Sequence, residues 1–90
     1  MIDFEWNPEK AASNESKHGV SFAEAATAFG DPLSLTIFDP EHSETEDRFI
    51  LLGESAIGNL IVVSHTARDD TIRIISARRA SRPERLQYET

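Results

Sequence analysis

The chain carries five residues whose types suit phosphodiester chemistry: Glu46, Arg48, Arg68, Arg73 and Arg78, all in its second half. Cleavage of RNA by its own 2′-hydroxyl needs that hydroxyl deprotonated, the leaving 5′-oxygen protonated and the extra charge on phosphorus stabilised. Arginine meets the last need, and histidine or glutamate meets the first two. The chemistry needs no metal. Glu46 and Arg48 would otherwise form only a same-face strand ion pair, which is worth little when exposed. Where antiparallel strand ends face one another, Arg48, Arg68 and Arg78 are expected to converge. By strand parity Arg78 falls with Ile72, Ile74 and Ser76, and Arg73 with Ile75 and Ala77. The two arginines therefore belong to opposite faces unless a bulge intervenes.

Three histidines, His18, His42 and His65, stand among polar residues. The segment His42-Ser43-Glu44-Thr45-Glu46-Asp47 offers oxygen and nitrogen ligands but lacks a His-Glu-x-x-His or paired-cysteine spacing, so no metal is expected. A Gly-x-Ser-x-Gly elbow and a phosphate-binding glycine loop are both missing, which removes serine hydrolysis and nucleotide cofactors from the expectations.

The net charge of −7 argues against a nucleic-acid partner at first sight, but it conceals an asymmetry. Residues 1–47 set two lysines against eleven carboxylates, a balance of −9, whereas residues 48–90 set seven arginines against five carboxylates, a balance of +2. Every basic residue of the second half is arginine, whose planar fork grips phosphate in two-pronged fashion. With no cysteine there is no disulfide framework, and a reducing cytoplasm is the expected setting. No apolar run approaches the ~20 residues that span a bilayer, and no export signal is visible, so no membrane partner is expected.

Positioning these groups falls to one domain, residues 1–90, of the α+β class. Ile2, Phe4 and Trp6 alternate with acidic residues as in a half-buried strand. Asn7-Pro8 caps and starts a helix that runs to about Lys17-His18 before Gly19 stops it. Ser21 with Glu24 forms a capping-box pattern for a second helix, which Gly30-Asp31-Pro32 ends. Four strands follow, Leu33 to Phe38, Arg48 to Gly53, Leu60 to Thr66 and Thr71 to Arg78, joined by links short enough to force antiparallel hairpins. Ser81 then caps a last helix ending near Tyr88. The order is β-α-α-β-β-β-β-α, an antiparallel sheet with helices on one face and the other face open to a ligand or partner.

At motif level the chain resembles the BrnT toxin family. The resemblance rests on Trp6-Asn7-Pro8-Glu9-Lys10, Asn14, Lys17-His18-Gly19-Val20-Ser21-Phe22 and Phe29-x-Asp31-Pro32. It continues through Asp39, His42-Ser43, Glu46-x-Arg48, Thr66-x-Arg68, Arg73-Ile74-Ile75-Ser76-Ala77-Arg78, Glu84-Arg85 and Tyr88. One departure is Asn7, where the family often has aspartate. The resemblance implies a RelE-like ribonuclease fold, RNA cleavage that arrests translation, and an antitoxin of the BrnA type that binds operator DNA and oligomerises with the toxin. Any contact with DNA is then through the antitoxin. Carried over by position, it makes Arg68, Arg73 and Arg78 candidates for phosphate work and Glu46, Arg48, His18 and Lys17 candidates for the site or its supports. Together with the residue chemistry this gives Glu46, Arg48, Arg68 and Arg78 as catalytic candidates and Lys17, His18, His42 and Arg73 as substrate-binding ones. A second expectation, from the acidic first half, is a non-catalytic module that keeps the toxin fold and binds a partner as co-repressor.

Overall fold

The structure, a computed structural model, describes residues 2–90. Strand β1 (Asp3–Glu5) leads into α1 (Pro8–His18), whose first turn is closed by the Asn7 side chain accepting from the amides of Glu9 and Lys10. Gly19 ends α1 at φ +71°, a left-handed conformation that glycine adopts without penalty. In α2 (Phe22–Thr27) the Ser21 hydroxyl accepts from the Glu24 amide, but the capping box is only half made. The Glu24 carboxylate instead accepts from Ser55 Oγ and Asn59 Nδ2, tying the helix to a hairpin 31 and 35 residues away.

A 3₁₀ turn (Ala28–Gly30) connects to β2 (Leu35–Asp39), a second (Pro40–His42) opens the acidic loop, and β3 (Arg48–Glu54), β4 (Leu60–Arg68) and β5 (Thr71–Arg79) follow as a meander. Helix α3 (Arg82–Glu89) closes the chain with a complete capping box between Ser81 and Glu84. The sheet order is β1-β5-β4-β3-β2. All neighbours are antiparallel except β1 and β5, which run parallel with Glu5 beside Arg73. Chain order and the mostly antiparallel sheet match the expectation; the one exception is the β1–β5 pair, which the long crossover through the helices allows to run parallel.

Expectation and structure also part over the helices. One face buries Val20, Phe22 and Ala25 against Leu51, Ile61, Val63, Ile74 and Ala77, so α1 and α2 cover it as expected. On the other face Leu52, Leu60 and Val62 pack with Ile50, Ala80 and Tyr88, so α3 lies there. The reason is in β3 and β4, which are buried at successive positions, Leu51-Leu52-Gly53 and Leu60-Ile61-Val62-Val63. A run apolar at every residue has two faces to cover. Gly53 marks the tightest approach, since a Cβ there would come within 3.2 Å of the Ala28 carbonyl oxygen.

Because β1 reaches only to Arg73, the rest of β5 has, among the described residues, no strand on its outer side. Asn14 of α1 fills the gap: its Oδ1 accepts from the Ala77 amide at 3.1 Å, while its Nδ2 donates to the carbonyls of Ala77 at 2.8 Å and Val20 at 3.0 Å. One buried amide thus does the work of a strand partner and fixes α1 against the sheet.

Candidate active site

On the face away from α1 and α2, register sets one row across all five strands: Asp39, Arg48, Thr66, Arg73 and Glu5. Arg68 and Thr71 form the next pair along β4 and β5. Between Ser64–Ser76 and His65–Ile74 the pairing skips Ile75, a bulge that reverses parity along β5. Arg73 and Arg78 therefore share a face, against simple alternation.

Two ion pairs frame a cavity of about 360 Å³ at this end of the sheet. Arg68 Nη2 lies 3.2 Å from Glu46 Oε1, and Arg73 Nη1 lies 3.7 Å from Glu5 Oε1. Thr66, Asp69 and Thr71 complete the lining. Asp69 sits at the β4–β5 turn with φ +55°. The cavity offers two guanidinium forks suited to phosphate, each paired with a carboxylate, and Asp69 adds a third carboxylate to its lining.

Beside it, a recess of about 270 Å³ is lined by Asp39, His42, Arg48, Ile50, Ser64, Ile75 and Ser76. Here Asp39 Oδ2 lies 2.8 Å from His42 Nδ1, while Asp39 Oδ1 accepts from the Glu41 amide. A carboxylate only accepts, so Nδ1 donates to it and Nε2 stays outside the pair. Ser43 holds the loop, its hydroxyl donating to the Asp39 carbonyl and accepting from the Arg48 amide.

The structure thus brings Glu46, Arg68 and Arg73 to one cavity and His42 and Arg48 to the next. It does not bring Arg78 to them. Arg78 lies opposite Val62, far along β5, where both guanidinium arms donate to the Glu84 carboxylate at 2.8 and 2.9 Å. That pair holds the Glu84 carboxyl down to about 2 and raises Arg78 further. The expected convergence of Arg48, Arg68 and Arg78 fails because the hairpins place Arg68 and Arg78 at opposite ends of the sheet. Lys17 and His18 stand apart as well, at the end of α1, in a recess that also includes Ile75 and Ser76.

His65 leaves the polar company its sequence neighbours suggest. It is buried between Phe29 and Phe49, and its Nδ1 donates to the Val63 carbonyl at 3.1 Å. Burial pushes its imidazole below the usual range. Glu5 and Thr66 are the site residues that sequence reasoning passed over. Glu5 is legible as an outward residue of β1, but only the parallel pairing sets it beside Arg73. Among the described residues no three His, Asp or Glu side chains are grouped as a metal ion's ligands would be, and no helix is long and apolar enough to cross a membrane.

Fold and face together define a small α+β protein that presents arginines and acid–base side chains on an open sheet surface. The chain belongs to the BrnT family of ribonuclease toxins of type II toxin–antitoxin systems, whose sequence model it matches over residues 6–84. The crystal structure of the Brucella abortus ribonuclease toxin BrnT shares the fold, with a TM-score of 0.65 at 22% identity over 91% of this chain and 100% of that one. A search of curated proteins finds no match. Membership in this family implies ribonuclease activity, an RNA target and an antitoxin partner.

Proposed function

We propose that the chain arrests translation by cleaving RNA on the sheet face opposite α1 and α2, through metal-independent acid–base transesterification. A BrnA-type antitoxin, itself the DNA-binding member of an oligomeric complex, silences it by covering that face. The observation that carries this reading is the Arg48–Thr66–Arg73 row, with the Asp39–His42 pair at one end and Arg68 alongside.

His42 and Glu46 are the proton-transfer groups. One takes the proton from the 2′-hydroxyl, whose oxygen attacks phosphorus. The other delivers a proton to the 5′-oxygen as the P–O5′ bond breaks, leaving a 2′,3′-cyclic phosphate and a 5′-hydroxyl. Arg48 and Arg73 hold the phosphate. Arg68 exchanges Glu46 for a phosphoryl oxygen and stabilises the developing charge, which also frees the carboxylate for proton transfer. Lys17 and His18 hold the RNA strand beyond the cleaved bond.

The test is induced expression of the chain alone and with its antitoxin, followed by RNA integrity and end analysis. Cleaved RNA with cyclic phosphate ends, suppressed by the antitoxin, is expected. Growth arrest with intact RNA would instead favour a binding module.

A further inference from the structure

The two edges of the sheet are built differently. β1 is three residues long and carries Asp3 and Glu5, features that discourage another strand from adding. β2 (Leu35–Asp39), at the opposite edge, is longer and has its one acid, Asp39, only at its end, where Pro40 follows. Its residues Leu35-Thr36-Ile37-Phe38 include no proline, lysine or bulge, and Leu35, Ile37 and Phe38 are 42%, 59% and 47% exposed. On the face carrying the site, Leu35 and Ile37 open into an apolar recess with Ile50, Leu52 and Val62, bordered by Glu84 and Gln87 of α3. An unpaired apolar edge beside an apolar recess is suited to strand addition, in which backbone hydrogen bonds supply affinity and alternate side chains fill the recess.

Charge selects the occupant. β2 runs directly into a loop containing Asp39, Glu41, Glu44, Glu46 and Asp47, with only His42 as a counter-charge before Arg48. A second copy of this chain is itself acidic, at −7 overall, and offers that loop no net counter-charge. A basic segment meets an acidic loop instead.

We propose that β2 is the docking edge for the antitoxin: an extended segment of that partner, apolar on alternate residues and rich in lysine or arginine, adds as a sixth strand beside β2. The proposal rests on the toxin reading above and gives the partner a hold next to the loop that carries His42 and Glu46. Inhibition then includes restraint of that loop as well as cover for the arginines.

The test uses the full chain and its complex with the co-expressed antitoxin. Hydrogen exchange should show the β2 amides not bonded to β3 becoming protected in the complex, and the complex should weaken as salt is raised. Ile37→Lys should weaken binding at least tenfold, so that growth arrest persists despite the antitoxin, while the free variant keeps its thermal midpoint and RNA cleavage. Overturning results are unprotected β2 amides, normal neutralisation of Ile37→Lys, or β2 protection in the free chain that rises with concentration as a dimer forms. If the free chain leaves RNA intact, the toxin reading fails, whereas β2 protection in the complex still reports on the docking edge.

Discussion

Arg68 at the end of β4 and Glu46 just before β3 lie 22 residues apart in sequence, yet their side chains meet at 3.2 Å on the rim of the arginine-lined cavity. Neither is committed to the fold: the Arg68 side chain is 78% exposed. An exposed pair of this kind adds little to the stability of the fold.

Arg68→Ala should lower the RNA cleavage rate on the order of 10² or more, as removal of a charge stabiliser does. Folding stability should change by less than about 1 kcal/mol, because the lost ion pair is exposed. Arg68→Lys should also be impaired, since an ammonium does not reproduce the two-pronged contact. Single-turnover cleavage and thermal midpoint, measured together, check this; full growth arrest by the alanine variant at normal expression would remove Arg68 from the mechanism.

Cleavage should continue in the presence of a chelator, because the 2′-hydroxyl is the nucleophile and side chains move the protons. The check is RNA degradation by the purified chain with and without chelator. Loss of activity that a divalent ion restores would refute the metal-independent route.

Arg78→Ala should leave cleavage within a few-fold of the parent, since its partner is Glu84 and not the site. The Glu84 carboxyl should then titrate closer to the ordinary glutamate range, having lost the two guanidinium hydrogen bonds that lower it most. Carboxyl NMR titration against pH reads this, and a large fall in cleavage with α3 still in place would return Arg78 to the site.

Asn14→Ala should destabilise the fold by roughly 2–4 kcal/mol, because it leaves the amide and carbonyl of Ala77 and the carbonyl of Val20 without partners in a buried place. At this chain length that is a fall in Tm on the order of 10 °C or more. Asn14→Asp should be no better, since a carboxylate accepts from Ala77 but donates to neither carbonyl. Calorimetry decides; a Tm shift of only a degree or two would mean that water serves the β5 edge equally well.

Acidification should weaken the fold in two stages. The His65 imidazole is depressed in the folded state, so its contribution is fully present above its ordinary value of 6.5 and is lost as pH falls below it, where the unfolded chain binds the proton first. Glu84, held at about 2, and Asp31, held low first by the Glu54 amide and then by the Tyr88 hydroxyl, act below their ordinary 4.5 and 3.8. Their contributions persist above those values and disappear as pH falls toward the folded ones. Urea midpoints at pH 7.5, 5.5 and 3.5 trace both stages, and His65→Gln should abolish the first while sparing the second.

The elements were legible because their signals are local. Asn7-Pro8, Gly19, Ser21 and Ser81 mark helix ends within a few residues of the groups they satisfy, and the hairpin links leave meander pairing as the economical solution. The arginine-rich second half and the histidine and glutamate of the acidic loop were likewise visible as chemistry. What joined them was not. A one-residue bulge at Ile75 decides which face Arg73 presents, and no periodicity announces it. The parallel pairing that sets Glu5 beside Arg73 depends on two helices bringing distant strands together. Arg78 looked equivalent to Arg68 until the tertiary structure put Glu84 within reach of one and Glu46 within reach of the other. Sequence spacing determines what each segment forms, because capping and pleat act over a few bonds. Register, face and partner follow from closure of the whole sheet, where each choice is made by burial and hydrogen bonding across tens of residues.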